Sequence, residues 1–143
     1  APGGGLACDL YEGQWRRLPE LAKLTPARSF TMPTVGIPEE RPAERFALAC
    51  RGLLRVPEDG VYTLALRSDD GSRLLLGGAP LIDNDETHDK QERRAEVALA
   101  AGEHAIEVQY FQYSRDAVLE LWLGSDRMRL ARVTAEMISG PAR

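Results

Sequence analysis

Two short acidic stretches carry the side chains best suited to chemistry: Asp69-Asp70, followed by Gly71, and Asp83-Asn84-Asp85, beginning fourteen positions further on. Carboxylates and amides gathered on turns supply oxygen ligands of the kind a hard cation takes, six to eight at a time. The same residues can instead cap the amides of their own turns, so both readings stand. An EF-hand reading of the second stretch fails, because its sixth position is His88 rather than glycine and its twelfth is Arg94 rather than glutamate. The chain's two histidines, His88 and His104, and its two cysteines, Cys8 and Cys50, have no zinc-type spacing. His88 reads as a solvated loop histidine and His104 as a packed one bonded to backbone. There is no Gly-x-Ser-x-Gly, no His-Glu-x-x-His and no phosphate-cradling glycine loop. Glycoside hydrolysis needs two carboxylates about 5 or about 6.5–9.5 Å apart. Among 22 acidic residues such a pair arises by chance, so it would be weak evidence. The residues predict no catalysis.

The elements that must hold those turns are strands. Tyr62, Leu64 and Leu66 alternate with Thr63, Ala65 and Arg67, the period of a half-buried strand. Ser68-Asp69-Asp70-Gly71 breaks the pattern, Leu74–Leu76 resumes it, and Gly77-Gly78 is a hairpin signal leading to Leu81-Ile82. This out-and-back path predicts both acidic turns at the same end of a sheet. Leu6 to Glu12 reads as a first strand, and the prolines of residues 25–43 confine that stretch to loop or edge strand, with Phe30 and Met32 as anchors. From Glu44 to Val56, Phe46, Leu48, Cys50, Leu54 and Val56 face one way. Arg45, Ala47, Ala49, Arg51 and Arg55 face the other, where the arginines read as a solvated row. Cys8 and Cys50 both fall in core phase. They form a disulfide if their strands are neighbours, and are otherwise two buried thiols. Residues 86–92 and 112–116 read as loops, Ala95–Leu99, His104–Tyr110 and Val118–Leu123 as strands, and Tyr110 and Trp122 as core. Short strands at roughly ten-residue spacing, joined by Gly, Pro and Asp turns, predict an all-β antiparallel sandwich or barrel with little helix.

With 143 residues the chain is expected to form one domain, 6–138, between linkers at 1–5 and 139–143. A hydrophobic share of 43% with 28% charged residues argues for a packed core rather than disorder. A net charge of -4 with scattered arginines argues against binding nucleic acid. No apolar run approaches the ~20 residues of a membrane span.

Several motifs in order resemble one known family: Leu10-Tyr11-Glu12-Gly13-x-Trp15, Val56-Pro57-x-x-Gly60-x-Tyr62-Thr63, Ser68-Asp69-Asp70-Gly71-Ser72-Arg73-Leu74, Asp83-Asn84-Asp85 with His88, and Ala101-Gly102-x-His104-x-Ile106-x-Val108-x-Tyr110-Phe111. They look like the protective-antigen-type module of anthrax protective antigen, yeast flocculin adhesins and β-glucosidase inserts. The resemblance spans residues 6–138. It implies a jelly-roll-like sandwich of about ten strands without catalytic residues. In the adhesin branch two adjacent aspartates, joined by a cis peptide, hold a calcium ion whose coordination sugar hydroxyls complete. Carried over, Asp69 and Asp70 would hold calcium or bond sugar hydroxyls directly, with Asn84, Asp85, Gln112 and Tyr113 lining the site. The implied function is a non-catalytic glycan-binding module of a secreted or cell-surface protein, extracellular or periplasmic, with neighbouring domains in a larger chain. The alternative is a structural module packing on a neighbouring glycosidase domain without binding sugar.

Overall fold

The strands follow the alternations of the sequence, and their apolar faces decide how they stack. A computed structural model describes residues 4–113 and 116–141. Its elements are β1 (Leu6–Glu12), a 3-10 turn (Leu21–Lys23), β2 (Arg28–Met32), β3 (Phe46–Val56), β4 (Gly60–Asp69), β5 (Ser72–Leu76), β6 (Ala79–Asn84), β7 (Gln91–Leu99), β8 (Gly102–Gln112), β9 (Val118–Ser125), β10 (Ala131–Arg132), a second 3-10 turn (Ala135–Met137) and β11 (Ile138–Ser139). They form two antiparallel sheets. One runs β2-β1-β3-β8-β5-β6 with β11 also on β3, and the other runs β10-β9-β4-β7. The all-β sandwich predicted from the sequence is the fold observed. No helix among the described residues is long and apolar enough to cross a membrane.

The core lies between the sheets. Tyr62, Leu64 and Leu66 of β4 are fully buried and share one cluster with Leu119, Leu121 and Leu123 of β9 and with Phe46, Leu48 and Tyr110 of the facing sheet. Each such side chain contributes about 1.5–3 kcal/mol by leaving water, which exceeds the ~0.5–1 kcal/mol of rotamer entropy lost by a leucine. Cys8 and Cys50 stand directly opposite each other across β1 and β3 and are joined in a disulfide.

Two expectations need correction. The outward face of β3 is not uniformly solvated, for Ala47 and Ala49 are buried beneath a second cluster made with Tyr11, Leu21 and Phe111. Trp15 and Leu18, on the connection from β1 to β2, close that cluster from outside. Trp122 is not core. It sits on the outer face of its sheet, opposite Ala65 and Arg132, with the Arg67 guanidinium 4.7 Å from its ring. Alternation gives the side on which a residue lies, and here the apolar ring lies on the wet side, covered by an arginine.

The register also separates the two ends of the sandwich. At one end Glu12, Phe46 and Gln112 lie across from one another in β1, β3 and β8. At the other, Ser139 pairs with Leu53, and a Cβ on Gly140 would lie 3.6 Å from the carbonyl oxygen of Gly5. Gly5 and Gly140 therefore lie side by side.

Candidate functional site

Between Asp69 and Ser72 the chain crosses from the four-stranded sheet to the seven-stranded one, at the Gln112 end of the sandwich. A crossing over the end of a core buries polar atoms, and each needs a partner. The Ser68 hydroxyl donates to the Asp70 carbonyl at 2.8 Å and lies 2.6 Å from the Ser72 hydroxyl. From β6, the Asn84 Nδ2 donates to the Ser68 hydroxyl at 3.2 Å and to the carbonyls of Leu66 and Gln91 at 3.3 and 2.9 Å. The Tyr110 hydroxyl donates to the Asp69 carbonyl at 2.6 Å, and the Phe111 N–H donates to the Gly71 carbonyl at 3.0 Å. Burial holds the Tyr110 hydroxyl well above the ordinary phenol range, so it remains a donor. The peptide bond between Asp69 and Asp70 is cis.

On this frame the two carboxylates have different surroundings. Asp70, 5% exposed, accepts the His88 N–H on Oδ1 at 3.3 Å and the Tyr113 N–H on Oδ2 at 2.7 Å. It ties the loop after β6 and the end of β8 to one side chain. Asp69, 8% exposed, has no hydrogen-bond donor or cation on its carboxylate among the described residues. Burial, then the charges of Asp70, Asp89 and Asp116, push its carboxyl up to about 6, with His88 partly offsetting them. The folded value lies above the ordinary 3.8, so Asp69 contributes stability that is full below about pH 4 and lost as pH rises through about 6. In metal-free buffer the wild type is expected to lose on the order of 2 kcal/mol from this group across that window. Asp69→Asn should remove this fall, as thermal melts of the two proteins at matched pH will show.

The other predicted site residues take distinct places. Asn84 is 1% exposed and lies beneath the turn, with its amide bonded to backbone and serine. Gln112, predicted as loop, ends β8 and is fully buried, its Oε1 accepting the Arg45 N–H at 2.9 Å. Asp85 stands to one side. Its Oδ1 accepts the N–H groups of Leu18 and Glu86 at 2.8 and 2.6 Å, and its Oδ2 lies 3.6 Å from the Arg73 guanidinium. Tyr113 is half-buried, and its hydroxyl accepts from Arg16 at 3.2 Å and Gln14 at 3.4 Å. Positions 114 and 115 of the predicted loop lie outside the described residues. The structure thus brings Asp69, Asp70 and Tyr113 to one surface, with Asn84 and Gln112 beneath it and Asp85 beside it.

The sequence reading missed the support: Ser68, Ser72 and the Tyr110 hydroxyl. Serines flanking Asp-Asp-Gly carry no signal of burial, and the phase of Tyr110 shows only that its ring is core. His88, expected as a solvated loop histidine, is half-buried. In the structure its amide holds Asp70, and its ring is fixed by the carbonyl oxygens of Asn84 and Asp89, 2.8 and 2.6 Å from Nε2 and Nδ1.

The oxygen set suits a hard cation: two carboxylates on one turn, one of them without a donor and raised by crowded negative charge. Among the described residues no group of three His, Cys, Asp or Glu side chains is close enough to hold a metal alone. Any cation there takes its remaining oxygens from carbonyls, water or a ligand's hydroxyls.

The family model described as PA14 domain matches residues 5–131. No curated protein sequence matches significantly. Among solved structures, this chain is similar to an anti-sigma factor domain-containing protein from Clostridium clariflavum, at 19% identity and a TM-score of 0.82, covering 97% of this chain and 48% of that one. It is also similar to a PA14 sugar-binding domain from an RTX adhesin, at 15% identity and a TM-score of 0.78, covering 96% and 98%. A third is the Epithelial Adhesin 9 A domain from Candida glabrata in complex with Galb1-4GlcNAc, at 13% identity and a TM-score of 0.72, covering 94% and 89%. The chain spans about half the length of the anti-sigma factor proteins it matches.

Proposed function

Because the chain belongs to the PA14 domain family, we propose that it is a non-catalytic carbohydrate-binding module of a secreted or cell-surface protein, taking sugar at the Asp69–Asp70 turn. The observation that carries the reading is the contrast within that pair. Asp70 is fixed by two backbone amides, while Asp69 is buried, crowded by negative charge and without a donor among the described residues. Such a carboxylate is stabilised by whatever brings positive charge or hydroxyl donors to it. The similar adhesin domains, one described as sugar-binding and one complexed with a disaccharide, support a glycan as the ligand. The disulfide supports an oxidising compartment.

Asp69 and Asp70 would hold calcium through their carboxylates, and Tyr113 would flank the bound sugar. Calcium, when bound, neutralises the pair and offers open coordination positions to vicinal hydroxyls. Asp70 keeps both loops in place while it does so, and the buried Asn84–Ser68–Ser72 network keeps Asp70 in place.

The test is calorimetric titration of calcium into metal-stripped protein, with Asp70→Ala alongside. Saturable binding in the wild type, weakened roughly a hundredfold or more in Asp70→Ala, is expected. A glycan array with calcium present then reads the sugar. Absence of binding at millimolar calcium would remove the cation and leave direct hydroxyl bonding or a packing role.

A further inference from the structure

The connection from β1 to β2 reaches the acidic turn at two points. The Leu18 N–H donates to Asp85 Oδ1 at 2.8 Å, and Arg16 donates to the Tyr113 hydroxyl at 3.2 Å. Its other end is fixed by the Gly13 N–H on the Arg45 carbonyl at 3.1 Å, and between them Trp15 packs on the buried cluster with Phe111. The segment is therefore a wall beside the site, pinned at both ends and in the middle.

Two arginines stand on that wall, and their surroundings differ. Arg17 is paired with Glu86 at 3.1 Å. Arg16 has no acidic partner among the described residues. Its guanidinium lies 5.1 Å from the centroid of the Tyr113 ring, and it is exposed. Tyr113 in turn places its N–H on Asp70 Oδ2 at 2.7 Å, so one residue links an unneutralised cation to the aspartate pair. Asp89 and Asp116 add negative charge near Asp69. A ligand meeting this surface finds acceptors at the turn and a planar cationic fork at Tyr113.

We infer that Arg16 is a specificity-determining residue that selects a glycan bearing a carboxylate, a uronic acid, over its neutral counterpart. The inference rests on the proposed sugar site. The ring hydroxyls go to the Asp69–Asp70 turn, and the carboxylate goes to the guanidinium, whose paired N–H groups match a carboxylate in a way a hydroxymethyl group cannot. Asp89 and Asp116, whose charges remain when a cation neutralises Asp69 and Asp70, repel the reverse orientation, so the ligand binds one way round.

The experiment compares methyl galacturonoside with methyl galactoside by titration into the calcium-loaded chain, and repeats both on R16Q and R17Q. The uronoside is expected to bind about tenfold more tightly than the galactoside. R16Q should bring the affinities of the two glycosides to within about twofold of each other, and R17Q should keep the preference. Equal affinity for the two glycosides in the wild type, or a preference that survives R16Q, overturns the inference and leaves the sugar site standing. Failure of both glycosides to bind overturns the inference together with the sugar-site reading.

Discussion

Replacing Cys8 and Cys50 together by alanine is expected to lower the stability of the domain by about 4 kcal/mol. The bridge joins residues 42 apart in sequence, and the chain-entropy relation for a loop of that size gives this figure at 25 °C. Both sulfurs are buried in the main cluster, so the loss of their volume adds to the effect rather than offsetting it. The register shows why the bridge forms without rearrangement, since Cys8 and Cys50 are direct partners in the ladder between β1 and β3. For a domain of this size the melting temperature should fall by roughly 10–15 °C. Urea denaturation of the wild type and the double variant gives the free energies directly. A change below about 1 kcal/mol would show that β1 is held by packing alone.

The second large effect is expected at Gly71. A Cβ built on this residue would fall on Cε1 of the fully buried Phe111 and lie 2.9 Å from both Asp85 Oδ1 and the Glu86 nitrogen. None of these is the free end of a flexible chain. Phe111 is wedged in the second cluster, and Asp85 is held by two amides. Gly71→Ala must therefore push the turn off Phe111 or break the Asp85 contacts, at about 3 kcal/mol by the scale of overpacked cores. Function should suffer with stability, because the moved residue adjoins Asp70. In folded Gly71→Ala protein calcium affinity is expected to fall about tenfold or more. Near-UV circular dichroism reports the Phe111 environment in the same sample. Unchanged stability would mean that the turn has slack which the packing does not show.

Strand positions were the most legible part of the chain. The alternation through Tyr62–Leu66 and the Gly77-Gly78 hairpin carry direct local signals, and both glycines take positive φ in the structure, 59° and 84°. Strand order was not legible. Nothing in β8 says that it lies between β3 and β5, since alternation specifies a face and not a neighbour. The acidic turn stood out by composition, but the difference between its two carboxylates depends on amides from His88 and Tyr113, eighteen and forty-three residues away. Asp85 shows the same limit. By type it could line a binding site, whereas the amides of Leu18 and Glu86 make it the anchor of a wall. Strand phase reads Trp122 as core, and only the position of Arg67 explains how an indole sits on the outer face.

The adjacency of Gly5 and Gly140 gives the module a particular behaviour under mechanical load. Tension applied through these two points enters and leaves at one end of the body, so the load path runs through β1, β11 and the part of β3 between them. The two-residue β11 is the first element such a pull would peel from Leu53 and Leu54. On the β1 side, peeling stops at Cys8, a covalent rivet to β3 two residues inside the strand. The Asp69–Asp70 turn stands at the opposite end, off that path. Tension between Gly5 and Gly140 can rise without passing through that turn.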